Sequence, residues 1–108
     1  MSDKLKQARD LIAAGWTQLS YDRIVDDKQC YCAAGAIIET YAPWMAKPSE
    51  RDHVGCEIAL RRLAKTLVPD LDGQDIAQGV IVNWNDTPGR TQDEVLAAFD
   101  KAIEEGAA

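Results

Sequence analysis

Four side chains in this sequence are of the types that hold a tetrahedral metal ion: Cys30, Cys32, His53 and Cys56. His53 stands three residues before Cys56, a spacing that puts both on one face of a helix. The Cys30-x-Cys32 spacing, however, is tighter than the usual zinc knuckle. Cys32 and Cys56 also fall at positions that read as core, where a free thiol behaves as a small hydrophobe. Zinc is therefore not expected, nor any other cofactor. The same His53 and Cys56 could act as base and nucleophile, but no third orienting group stands at a recognisable spacing, and a thiol on an apolar stripe is inert rather than activated. The seven glycines are scattered and form no phosphate-binding loop. Three cysteines are an odd number, and in a reducing compartment they are not expected to form a disulfide framework.

A second cluster of chemistry-bearing residues lies in "NWNDTPGRT", residues 83–91. Asn85, Asp86 and Arg90, joined by Trp16 and Gln18 from the first quarter of the chain, supply the donors and acceptors that hold a ligand. The competing reading makes them caps and turn ties between a bend at Trp16-Thr17-Gln18 and a corner at Trp84–Asp86. Thr87-Pro88-Gly89-Arg90 carries proline and glycine at the central positions of a type II turn, so the segment reads as a short connection between two helices. Here Asn85 would cap the preceding helix and Asp86 would pair with Arg90 across the turn, worth at most about 1 kcal/mol if exposed. Trp84 is expected to face the core, with Asp86 or a carbonyl taking its indole N–H. A third segment, "YAPWMAKP", holds Tyr41, Trp44 and Met45, residue types that anchor interfaces when exposed. A lid over the core is the favoured alternative.

Helical periodicity dominates the elements that must position these residues. Leu5, Ala8, Leu11 and Ile12 mark a helix from about residue 3 to Ala14, stopped by Gly15. A second runs from Tyr31 or Cys32 to Tyr41, with Ala33, Ala34, Gly35 and Ala36 allowing another helix close approach and Pro43 ending it. Between the two, Tyr21, Ile24 and Val25 alternate loosely around Asp26-Asp27, which fits a short β-hairpin or an irregular loop. Pro48 with Ser49 as N-cap opens a third helix bearing Cys56, Leu60, Leu63 and Leu67, closed by Pro69. Asp72 or Gly73 precedes a fourth, with Ile76, Val80, Ile81 and Trp84 inward. Thr91 and Glu94 form the capping box of a fifth, whose inner face is Val95, Leu96, Phe99 and Ile103.

These elements fit an all-α fold: a single helical domain over residues 1–108, of four to five helices with a minor hairpin after the first. No run of about 18 apolar residues occurs, and the charged start "MSDKLKQARD" lacks a signal peptide's apolar stretch, so a cytoplasmic location without a membrane is expected. The formal charge is −6, and residues 70–108 carry nine acidic residues against two basic ones. That distribution disfavours nucleic acid and suits a basic protein partner or a solvated face. "GWTQL" resembles the entry to the second helix of a helix-turn-helix, but "RIVDDKQ" then places two acids where phosphate contacts are needed.

"IVNWNDTPGRTQDEVLAAFDKAI", "LIAAGWTQ" and "CAAGAI" together resemble a family of small uncharacterised domains from bacteria and their phages. That family is marked by a W-N-D-x-P-G-R-[ST]-x-x-E-V-L block, a G-W-[CT]-Q element and a C-x-x-G-A segment. Gly15, Trp16, Gln18, Cys32, Gly35, Ala36, Trp84, Asn85, Asp86, Pro88, Gly89, Arg90, Glu94 and Val95 match, and residues 42–73 match least. The resemblance implies a shared fold and no assigned chemistry. The expectation is a non-enzymatic protein-interaction module, phage-derived, working through its acidic C-terminal helices or Tyr41–Met45. The alternative is a small-ligand- or metal-binding domain, or an enzyme, using the corner of Trp16, Asn85, Asp86 and Arg90. Oligomeric state is left open.

Overall fold

A computed structural model describes residues 4–107. Five α-helices and one hairpin follow in the order α1 (Lys4–Ala14), β1 (Asp22–Val25), β2 (Lys28–Tyr31), α2 (Ala33–Tyr41), α3 (His53–Leu67), α4 (Ala77–Asn85) and α5 (Gln92–Ala107), with a 3-10 turn at Pro48–Glu50. The expected start of α1 near residue 3 lies outside the described residues. Among those described, no helix is long and apolar enough to cross a membrane.

Leu5, Ala8 and Ile12 form the buried stripe of α1, and α2 buries Ala33 to Ile37 without interruption. Val95, Phe99 and Ala102 of α5 join them with Cys56, Leu60 and Leu63 of α3 in one continuous core. Phe99, fully buried, alone contributes about 1.5–3 kcal/mol of apolar transfer. At the edge of the core, Arg9 Nε donates to Asp100 at 2.8 Å, and Gln92 Nε2 donates to the Ile12 carbonyl at 2.7 Å, tying α5 to α1.

The open choice between hairpin and loop resolves as a hairpin. Its strands are antiparallel, pairing Asp22 with Tyr31 and Val25 with Lys28. Asp26 and Asp27 both have positive φ, 52° and 62°, as a two-residue turn matched to strand twist requires. The close approach at Gly35 is made by this hairpin rather than by another helix: a Cβ on Gly35 would lie 2.0 Å from the Tyr21 carbonyl oxygen, which accepts from the Cys32 N–H at 3.1 Å. At Gly15, where α1 ends as expected, β2 passes so near that a Cβ would lie 2.6 Å from the Gln29 carbonyl oxygen.

Two helix starts differ from expectation. Ser49 does not cap α3. Pro48–Glu50 forms its own turn, and Asp52 caps the helix by accepting from the Gly55 N–H at 2.8 Å. Asp72 accepts from Gln74 N–H within a turn, and α4 begins later, after Ile76, with no side-chain cap. Of the residues expected on the inner face of α4, Ile81 is fully buried, but its companions there are Ala77 and Asn85. Val80 and Trp84 pack at the core's margin, and Ile76 is 77% exposed. Both sets have a spacing of four, and the larger apolar side chains lie in the outer one.

Candidate functional site

The fourth helix therefore delivers an asparagine, not a tryptophan, to the interior. Asn85 is fully buried. Its Oδ1 accepts from the Trp16 indole N–H at 2.7 Å and from the Ala33 N–H at 3.0 Å. Its Nδ2 donates to the Thr17 carbonyl at 3.1 Å and to Asp86 Oδ1 at 3.0 Å. A side-chain amide has two donor hydrogens and an acceptor with two lone pairs, so every capacity is used. Gln18 Nε2 adds bonds to the Asn85 and Thr87 carbonyls, at 2.9 and 3.1 Å.

Asp86 and Arg90 do not pair with each other as the sequence suggested. Asp86 Oδ1 accepts from the Leu19 N–H at 2.9 Å, steadying a residue with φ of 65°, a backbone region that costs a non-glycine roughly 1–2 kcal/mol. Arg90 Nε donates to the Trp84 carbonyl at 3.0 Å and its Nη1 to Glu94 Oε2 at 3.0 Å, while its guanidinium lies 4.0 Å from the Trp84 ring centroid. Trp84 thus stacks on the turn while packing only at the core's margin. The turn itself is as expected: Arg90 N–H donates to the Thr87 carbonyl at 3.0 Å, and Gly89 has φ of 86°. The structure brings Trp16, Gln18, Asn85 and Asp86 into one bonded clamp, with Arg90 beside it holding the turn.

A separate groove opens where the hairpin crosses α2. It encloses about 530 Å³ between Tyr21, Tyr31 and Trp44, with Ile38 and Ala42 on its apolar side and Asp22 and Glu39 among its polar residues. Gln78 Nε2 of α4 donates to the Tyr21 hydroxyl at 2.7 Å, and the Glu39 carboxylate accepts from the Trp44 N–H at 3.3 Å. Burial raises the Tyr31 hydroxyl pKa above its usual value, with the charges of Glu39 and Asp22 adding to the shift. Trp44 and Met45 are 80% and 91% exposed, so they form no lid, whereas Tyr41 packs against the core.

A family model for a family of unknown function, DUF6197, matches residues 1–105. The chain belongs to the DUF6197 family. No curated protein and no solved structure matches it significantly.

In this DUF6197 domain all three cysteines are buried and free. Burial raises the thiol pKa of Cys32 and of Cys56, most strongly by desolvation, and keeps both protonated. Cys32 has a structural task as N-cap of α2, its sulfur accepting from the Gly35 N–H at 3.3 Å. His53 and Cys56 line a smaller neighbouring groove that shares Ile38, Ala42, Trp44 and Gln78 with the first. Among the described residues, no three of His, Cys, Asp or Glu converge closely enough to hold a metal ion, so Cys30, Cys32, His53 and Cys56 are not assembled as one set. Tyr21, Asp22, Tyr31, Glu39 and Gln78 were not candidates from sequence. The signal available was Gly35 in an alanine-rich helix, which announces a close neighbour without naming it.

Proposed function

We propose that this DUF6197 domain is a non-enzymatic protein-interaction module whose working surface is the groove beside Tyr41–Met45. The observation that carries the reading is an exposed Trp44 lining an aromatic groove, with an exposed Met45 next to it in the chain. Aromatic and methionine side chains left in water beside a concavity are the composition of interface anchors. The clamp residues Trp16, Gln18 and Asn85 support the same reading, because their side-chain bonds run within the clamp and to backbone, leaving little to grip a small molecule or a reacting group. The acidic C-terminal helices are a weaker surface, since Asp100, Glu94 and Glu105 are engaged by Arg9, Arg90 and Thr66.

The test compares wild-type protein, Trp44→Ala and an Asp93→Ser control as affinity baits in a lysate of the native host. Exposed side chains contribute little packing, so melting temperatures should agree within about 2 °C. A partner retained by wild type and the control but depleted at least about fivefold by Trp44→Ala is expected, an interface hot spot being worth over 1 kcal/mol. Capture indifferent to Trp44 would overturn the reading.

A further inference from the structure

Three of the seven aromatic side chains of the protein, Tyr21, Tyr31 and Trp44, line one groove, and the charged side chains lining it are both acidic, Asp22 and Glu39. An aromatic face is the negative end of a ring quadrupole, so rings and carboxylates around one concavity favour a cation over a neutral apolar group. We propose that this groove receives a basic side chain of the protein partner, its alkyl stem against Tyr21, Tyr31 and Trp44 and its cationic head toward Asp22 and Glu39. The inference rests on the interaction reading above and specifies the chemistry that the surface selects.

Several features of the chain fit this occupant. Gln78 fixes the Tyr21 ring to α4 through the phenol oxygen, and Glu39 fixes the backbone that carries Trp44 to α2. Both carboxylates line the groove itself, and both raise the pKa of the Tyr31 hydroxyl beside them. Arg51, which lines the neighbouring groove, has its Nη2 committed to the Trp44 carbonyl at 2.9 Å. A net charge of −6 steers a basic segment toward the molecule.

The experiment is an NMR titration of the 15N-labelled protein with blocked peptides Gly-Xaa-Gly, in which Xaa is lysine, arginine or norleucine, and with tetramethylammonium chloride. Expected are shifts centred on Tyr21, Tyr31 and Trp44, with the lysine or arginine peptide bound about 2- to 30-fold more tightly than the norleucine peptide. Glu39→Gln, which keeps an acceptor for the Trp44 N–H, should abolish most of that preference, and Trp44→Leu should weaken the cationic peptides by a similar factor. Equal binding of norleucine at the same residues would overturn the cation inference and leave the interaction reading standing. No shift with any peptide, alongside Trp44-dependent capture of a partner, would overturn this inference alone; Trp44-independent capture would remove both. Tetramethylammonium binding as tightly as the best peptide would replace a protein side chain by a small organic cation as the occupant.

Discussion

Asn85 shows how a single amide can determine an architecture. Its four bonds reach Trp16, Thr17, Ala33 and Asp86, three of them more than 50 positions away along the chain. Removing it leaves buried partners unsatisfied, each costing about 1–3 kcal/mol less whatever water recovers. Asn85→Ala is therefore expected to lower the unfolding free energy by about 2–4 kcal/mol, measured by urea denaturation at neutral pH. A loss below about 1 kcal/mol would show that the clamp is not held from this point. From the sequence Asn85 had three readings, a ligand contact, a helix cap and a tie between the Trp16–Gln18 bend and its own corner, and its bonds to Trp16 and Thr17 are such a tie. Local reasoning sees a polar residue before a turn; the bonds that define it come from segments that only the folded chain assembles.

At the scale of elements, α5 was legible because its start is written in neighbouring residues. Thr91 Oγ1 accepts from the Glu94 N–H at 3.2 Å, and Glu94 Oε1 accepts from the Thr91 N–H at 3.0 Å, the reciprocal box that Thr-x-x-Glu predicts. The starts of α3 and α4 were not legible, because Ser49 lies inside a 3-10 turn closed by Lys47 and Glu50, Asp72 accepts from the Gln74 N–H in a turn of its own, and the helices begin only after Asp52 and Ile76. The box also has a pH signature. The hydrogen bond from the Thr91 backbone, then that from its hydroxyl and the proximity of Arg90, hold the Glu94 carboxyl below its usual pKa. A pKa lower in the folded than in the unfolded state adds stability that is present above the unfolded value and lost as pH falls through the folded one. Glu94→Gln should accordingly reduce the fall in melting temperature on acidification below about pH 4.5, the ordinary carboxyl value. An acid limb identical to wild type would show that Glu94 titrates no differently when folded.

Over the whole molecule, the net charge of −6 and the acidic groove act in the same direction. Long-range attraction between the domain and a basic partner is screened over about 8–10 Å at physiological salt, so it governs encounter more than residence. The association rate with the captured partner should fall at least about threefold between about 50 and 500 mM NaCl, while dissociation changes less, as read by surface plasmon resonance. A salt-independent association rate would mean that charge has no part in recognition. The all-helical frame could be read from periodicity and the hairpin only as one of two fits, whereas the groove could not be read, since its rings come from the hairpin and the α2–α3 connection and meet only in three dimensions.

That hairpin belongs to two structures at once. Leu19, two residues before Tyr21, is held by Asp86 of the clamp, and Trp16 bridges to Tyr31 at the other strand. The groove walls are therefore continuous with the clamp, and thermodynamic linkage makes their relation reciprocal. An occupant that requires Tyr21 and Tyr31 in place stabilises the hairpin, and with it the closed clamp, by an amount that grows with the logarithm of its concentration. Weakening the clamp, by the same cycle, lowers affinity at a groove that the altered residue never touches.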